Sequence, residues 1–226
     1  MNSKIAIPIA VIIACGLIVP QAVSSPAQDA QILYFEDFNG SASEPLQGKV
    51  PNKCQEFATW QSGGDADSEW KADGSIKGSA DPVALLPFKP ESGKVYTLSI
   101  DIVDIQGYKG WLALGFTEAN AVNRVFIAQK PNGWMLHRIG GGSQTFMGTG
   151  TNARDEPAGD TKSSLANMKV VLNTKPQKWT VTWYVDDIEV RPETAFEKNP
   201  TINFVGFGKH VAAECFVKNF SLSARH

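Results

Sequence analysis

Residues 95–105 and 111–116 alternate apolar and polar side chains with a period of two, and this constrains the fold more than any other feature of the chain. In the first run Tyr96, Leu98, Ile100 and Ile102 fall on one side, and Thr97, Ser99 and Asp101 on the other. In the second, Leu112, Leu114 and Phe116 oppose Trp111, Ala113 and Gly115. A repeat of two residues is the signature of a strand with one face buried. Residues 179–185 repeat the pattern, with Trp179, Val181, Trp183 and Val185 inward and Thr180, Thr182 and Tyr184 outward.

Shorter runs at residues 32–35, 56–61, 83–88, 124–129, 134–138, 168–173, 188–191, 202–206 and 215–223 read as further strands, separated by turn residues. Asn132-Gly133 tolerates positive φ and marks a hairpin, and Asp186-Asp187 marks another. Residues 140–167 are rich in Gly, Ser and Thr, with one strand-like piece at 144–147. A helical period is scarce, with room for one turn at 163–168, and no internal repeat recurs. The expected fold is an all-β, two-sheet antiparallel sandwich in one domain over residues 25–226, since no linker divides that span.

The N-terminus sets the compartment. Lys4 precedes an apolar run over residues 5–19, and small residues follow at Ala22, Val23, Ser24 and Ser25. This is the order of a secretory signal peptide, with residues 1–24 removed, and the run is too short to span a bilayer. A second reading stays open: Ile12-Ile13-Ala14-Cys15 has the form of a bacterial lipobox, which would anchor the chain through a lipid on Cys15. Loss of residues 1–24 removes Lys4 alone, leaving 20 basic against 23 acidic residues, a net charge of −3. With no basic block, nucleic acid and anionic membranes are poor partners. Cys54 and Cys215 then remain, and an even pair in an exported protein reads as one disulfide, the alternative being two separate buried thiols.

Phe35-Glu36-Asp37-Phe38, Tyr96-Thr97-Leu98-Ser99-Ile100, Gly110-Trp111-Leu112-Ala113-Leu114-Gly115-Phe116, Trp179-Thr180-Val181-Thr182-Trp183-Tyr184-Val185-Asp186 and Phe220-Ser221-Leu222-Ser223 together resemble the concanavalin A-like lectin/glucanase superfamily. The resemblance implies a jelly roll with its first and final strands side by side and a curved sheet with a concave face. That adjacency would bring Cys54 and Cys215 together. It also implies that a hydrolase of this kind carries Glu-x-Asp-x-x-Glu or Glu-x-Asp-x-Glu on one strand face.

No such string is present. Asp65-Ala66-Asp67-Ser68-Glu69 begins with Asp and follows Gly63-Gly64, as a solvated loop does. It is no EF-hand, since Trp70 and Ile76 stand where Gly and Glu are required; another kind of calcium loop is a minor alternative. Asp186-Asp187-Ile188-Glu189 reads as a turn. Among His137, His210 and His226 there is no zinc spacing, and no Gly-x-Ser-x-Gly or phosphate loop occurs. No catalytic residue, metal site or cofactor is therefore assigned.

What remains is a polar face with aromatics on it: Trp111 and Tyr184 for stacking on sugar rings, and Asp101, Thr180 and Thr182 for hydroxyls. His137 or Arg138 joins them according to hairpin register, with His137 taken as the site residue. The expected partner is a glycan or extracellular polymer. The alternatives are a polysaccharide hydrolase or lyase of the same fold, and a structural or adhesive surface protein. Trp60 and Trp70 suit either exposed platforms or core plugs.

Overall fold

The computed structural model describes residues 30–54, 57–63, 69–78, 82–106, 111–118, 125–129, 135–138, 146–150, 166–210 and 214–226; for Trp111, residues 125–150, Arg191 and His210 the description is of the backbone. The leader over residues 1–24 and the Pro131-Asn132-Gly133 turn lie outside these residues, as does most of the Asp65–Glu69 string.

The strands are Gln31–Glu36 (β1), Lys53–Cys54 (β2), Gln61–Gly63 (β3), Ser75–Lys77 (β4), Val83–Pro87 (β5), Val95–Gln106 (β6), Trp111–Thr117 (β7), Val125–Gln129 (β8), Met135–Arg138 (β9), Phe146–Gly150 (β10), Ala166–Asn173 (β11), Thr180–Val185 (β12), Ile188–Ala195 (β13), Phe204–His210 (β14) and Glu214–Arg225 (β15). They form two antiparallel sheets. One runs β13-β12-β11-β6-β15-β1-β2 with β4 also on β15, and the other runs β10-β9-β8-β7-β14-β5-β3. β1 pairs with β15, so the expected adjacency of the first and final strands is observed.

The alternation read from sequence fixes the inward residues. Tyr96, Leu98, Ile100 and Ile102 of β6, Leu112, Leu114 and Phe116 of β7, and Val181, Trp183 and Val185 of β12 all belong to one buried core between the sheets. Trp60 and Trp70 are core plugs, not platforms: both are buried, and both meet Phe207 edge-on. Phe38 and Phe220 complete this aromatic cluster around Trp60. Asp186 and Asp187 both take positive φ between the paired Val185 and Ile188, which makes the β12–β13 connection the two-residue turn that Asp-rich sequence favours. Of residues 56–61, expected as a strand, Glu56 lies outside the described residues and only Gln61 of the rest belongs to β3.

The disulfide expectation is corrected. Cys54 and Cys215 are both free. Cys54 pairs with Tyr34, and Tyr34 with Leu222, while Cys215 lies seven residues before Leu222 on β15. At about 3.3 Å per residue the two cysteines are offset by roughly 20 Å along the sheet, against the ~7 Å between Cα atoms that a disulfide allows. The first and final strands are neighbours, but β1 separates the strands of the two cysteines and the register sets them further apart.

Candidate functional site

The single binding face expected from sequence is divided by the fold. Asp101 (β6) and Thr180, Thr182 and Tyr184 (β12) lie in the eight-stranded sheet, whereas Trp111 (β7) and His137 (β9) lie in the seven-stranded one. The outward faces of two packed sheets point away from each other, so outward positions on β7 and on β12 do not line one groove. The alternation identifies the core residues of each strand, although Ala113 and Thr182, expected outward, are buried as well. It carries no information on which sheet a strand joins, and β6 and β7, adjacent in sequence, join different ones.

On the eight-stranded sheet the outward groups bond to each other. Asp101 accepts from the Asn167 and Asn219 side-chain amides, each at 2.7 Å, which spans β11, β6 and β15. Ser99 and Ser221 share a hydroxyl bond of 2.8 Å. The Thr180 hydroxyl donates to Glu193, and Lys169 pairs with Asp187 while its ammonium stands 5.9 Å from the Tyr184 ring centre. Thr182 is buried. Polar groups satisfied within the sheet in this way describe a finished outer surface.

The seven-stranded sheet differs. Gly115 and Gly206 pair in one register row, flanked by Leu85 on β5 and by Phe126, then Arg138, on β8 and β9. The next row outward places Val83, Gly208, Ala113, Ala128 and Leu136 side by side. On β7 and β14 these positions alternate with the core residues Leu114, Phe116, Val205 and Phe207, so they lie on the other face of the sheet. In these two rows β14 and β7 carry nothing larger than a methyl group, a small-residue floor that is buried together with Leu85 and Val83 beside it. Gly206 is obligatory: a Cβ there would stand 2.0 Å from the Ala84 carbonyl oxygen.

Trp111 pairs with His210 at one end of this floor. His210 was not singled out from sequence, because its neighbour across the sheet comes from 99 residues earlier. His137 pairs with Ile127, which pairs with the core residue Leu114. Arg138 falls in the register row of Gly115 and Gly206.

Carboxylates are confined to one sheet. The strands QSG, VALLP, WLALGFT, VFIAQ, MLHR, FMGTG and FVGFGKH of the seven-stranded sheet contain no Asp or Glu. Glu36, Asp101, Asp104, Glu189, Glu193 and Glu214 are all on strands of the other. Among the described residues no group of three His, Cys, Asp or Glu side chains is placed to hold a metal ion, and no helix is long and apolar enough to cross a membrane.

No family model and no curated protein matches the chain. Solved structures do match in fold. An endo-1,3-β-glucanase from Streptomyces sioyaensis aligns at a TM-score of 0.56 with 8% identity, covering 90% of this chain and 99% of the glucanase. The carbohydrate recognition domain of Emp46p in its potassium-bound form aligns at 0.51 with 11% identity, covering 72% of this chain and 87% of the domain. A protein of unknown function with a galectin-like fold from Bacillus subtilis aligns at 0.51 with 13% identity, covering 87% and 98%. The fold is a concanavalin A-like β-sandwich.

Proposed function

We propose that this concanavalin A-like sandwich is an exported, non-catalytic glycan-binding protein whose ligand lies on the outward face of the seven-stranded sheet. One observation carries the reading: the paired rows of Gly206, Gly208, Ala113 and Gly115, which are buried but carry no side chain larger than a methyl group, so that a saccharide reaching this face would meet backbone. Trp111 at its end offers a stacking surface, and Arg138, level with Gly115, a hydrogen-bond donor. A glucanase and a carbohydrate recognition domain among the structures of like fold support a saccharide as the ligand class. The absence of carboxylates from every strand of this sheet favours binding over hydrolysis, because glycosidic cleavage needs two acids flanking the bond. Export rests on the leader sequence over residues 1–24.

The test is a glycan array with the protein lacking residues 1–24, followed by reducing-sugar release on every hit. Binding without release is expected. Trp111→Ala should weaken a hit at least tenfold while leaving the melting temperature near wild type, since a lost stacking anchor costs about 2 kcal/mol of binding. Release of reducing sugar, or unfolding on Trp111→Ala with residual binding intact, would overturn the reading.

A further inference from the structure

A cleft of about 470 Å³ opens at the end of the sandwich where β1 starts and β5 stops, between the two sheets and away from the outward face just described. Its walls are built rather than incidental. On one side the Tyr34 hydroxyl donates to the Pro87 carbonyl at 2.6 Å, tying β1 to β5. On the other, the connection from β5 to β6 is pinned from beneath by Thr174, which is fully buried. The Thr174 hydroxyl donates to the Glu91 carbonyl at 2.6 Å and accepts from the Lys94 amide at 3.0 Å, and backbone bonds join Thr174 to Gly93 and Lys94. The Tyr96 hydroxyl accepts from the Glu91 amide at 2.8 Å. A connection between strands needs none of these side-chain bonds to reverse direction. Their effect is to hold the residues that line the cleft in one arrangement, which lowers the ordering cost of binding.

The lining is cationic in a chain whose net charge is negative. Lys94 pairs with Glu91 at 2.9 Å, whereas Lys89 makes no ion pair among the described residues. Gln31 adds an amide at the mouth, and Pro87 and Phe88 give an apolar wall beside the lysines. An uncompensated ammonium at the edge of a recess partly shielded from water attracts an anion more strongly than one on open surface. The volume suits one or two sugar rings.

We propose that this cleft is a second binding site, selective for the carboxylate of an acidic sugar unit, with Lys89 as the recognising cation. That the anion is carried on a sugar rests on the glycan-binding reading; that an anion is recognised does not.

Isothermal titration of the protein lacking residues 1–24 with sodium glucuronate, glucose and sodium acetate tests both parts. Expected are saturable binding of glucuronate, none of glucose, affinity for acetate at least fivefold lower than for glucuronate, and weakening of glucuronate binding as salt is raised. Lys89→Met, at an exposed position, should weaken glucuronate at least fivefold without changing the melting temperature. Equal binding of glucose and glucuronate, or an unchanged affinity in Lys89→Met, overturns the site. Acetate binding as tightly as glucuronate overturns the sugar assignment. Loss of glucuronate binding in Trp111→Ala would place the ligand on the sheet face and overturn the second site, whereas an empty glycan array with glucuronate still bound at Lys89 would count against the sheet face alone.

Discussion

The Tyr34 hydroxyl on β1 and the Pro87 carbonyl on β5 are 2.6 Å apart, a hydrogen bond that runs from one sheet of the sandwich to the other. Sandwich sheets are ordinarily joined through apolar contact and the connecting loops, so a directed bond across the gap sets their relative position at this end. Tyr34→Phe keeps the ring and removes the donor, leaving the carbonyl without that partner. The expected loss is about 1–2 kcal/mol, or roughly 2–8 °C in melting temperature for a domain of this size. Urea and thermal unfolding measure it, and glucuronate affinity should fall as well if the cleft wall relaxes.

Glu36 is buried on β1, accepting the Phe38 amide at 3.0 Å and facing the Trp60 indole N–H at 3.5 Å. Burial pushes its pKa above the usual 4.5, and hydrogen bonds from Phe38, Trp60 and Asn52 oppose that rise without cancelling it. A carboxyl with a raised folded-state pKa costs stability in full above that value. The cost fades as pH falls through it and is gone below the unfolded-state value. The advantage of Glu36→Gln over wild type should therefore be largest near neutrality and shrink toward pH 4.5. Urea melts of both proteins across that range decide it; a difference independent of pH would show that Glu36 titrates normally.

Two thiols, not none, should titrate in the unfolded and unreduced protein once residues 1–24 are absent, with Cys15 adding a third when they are retained. In the native state only Cys54 should react at a useful rate. It is half-buried, and its sulfur accepts the Ala58 amide at 3.0 Å. Cys215 is buried, and desolvation pushes its pKa up to about 12; a thiol held protonated is a poor nucleophile. Counting thiols with an aromatic disulfide reagent, before and after denaturation, is the measurement.

Gly206→Ala should destabilise by about 2 kcal/mol or more, because the added methyl meets backbone at Ala84 that cannot swing aside. Gly208→Ala should cost less, since the nearest atom there is a methyl of Val83 at 2.7 Å, the far end of a side chain. The ratio of the two effects, read from chemical denaturation, tests how tightly β14 is held against β5.

The residues that face the core were legible because burial on one side of a strand writes itself into the sequence every second position. Leu98, Leu112, Leu114 and Trp183 were found that way, and all are fully buried. Lys53–Cys54 and Ser75–Lys77 were missed because strands of two and three residues are too short to show a period. The candidate face of the seven-stranded sheet was half legible. Trp111 was placed outward on its strand, but its neighbour His210 and the glycines of β14 come from pairing between distant segments, which no local pattern encodes. The cysteine pairing failed for a related reason: an even count says nothing about register.

β15 comes later in the chain than every strand it pairs with, yet β4 and β6 flank its first half, and β6 and β1 its second. During synthesis, then, those strands emerge before the one that joins them, and the eight-stranded sheet has a gap in its middle until Glu214–Arg225 is available. A chain assembled in this order is held back from completing its fold while it is being made.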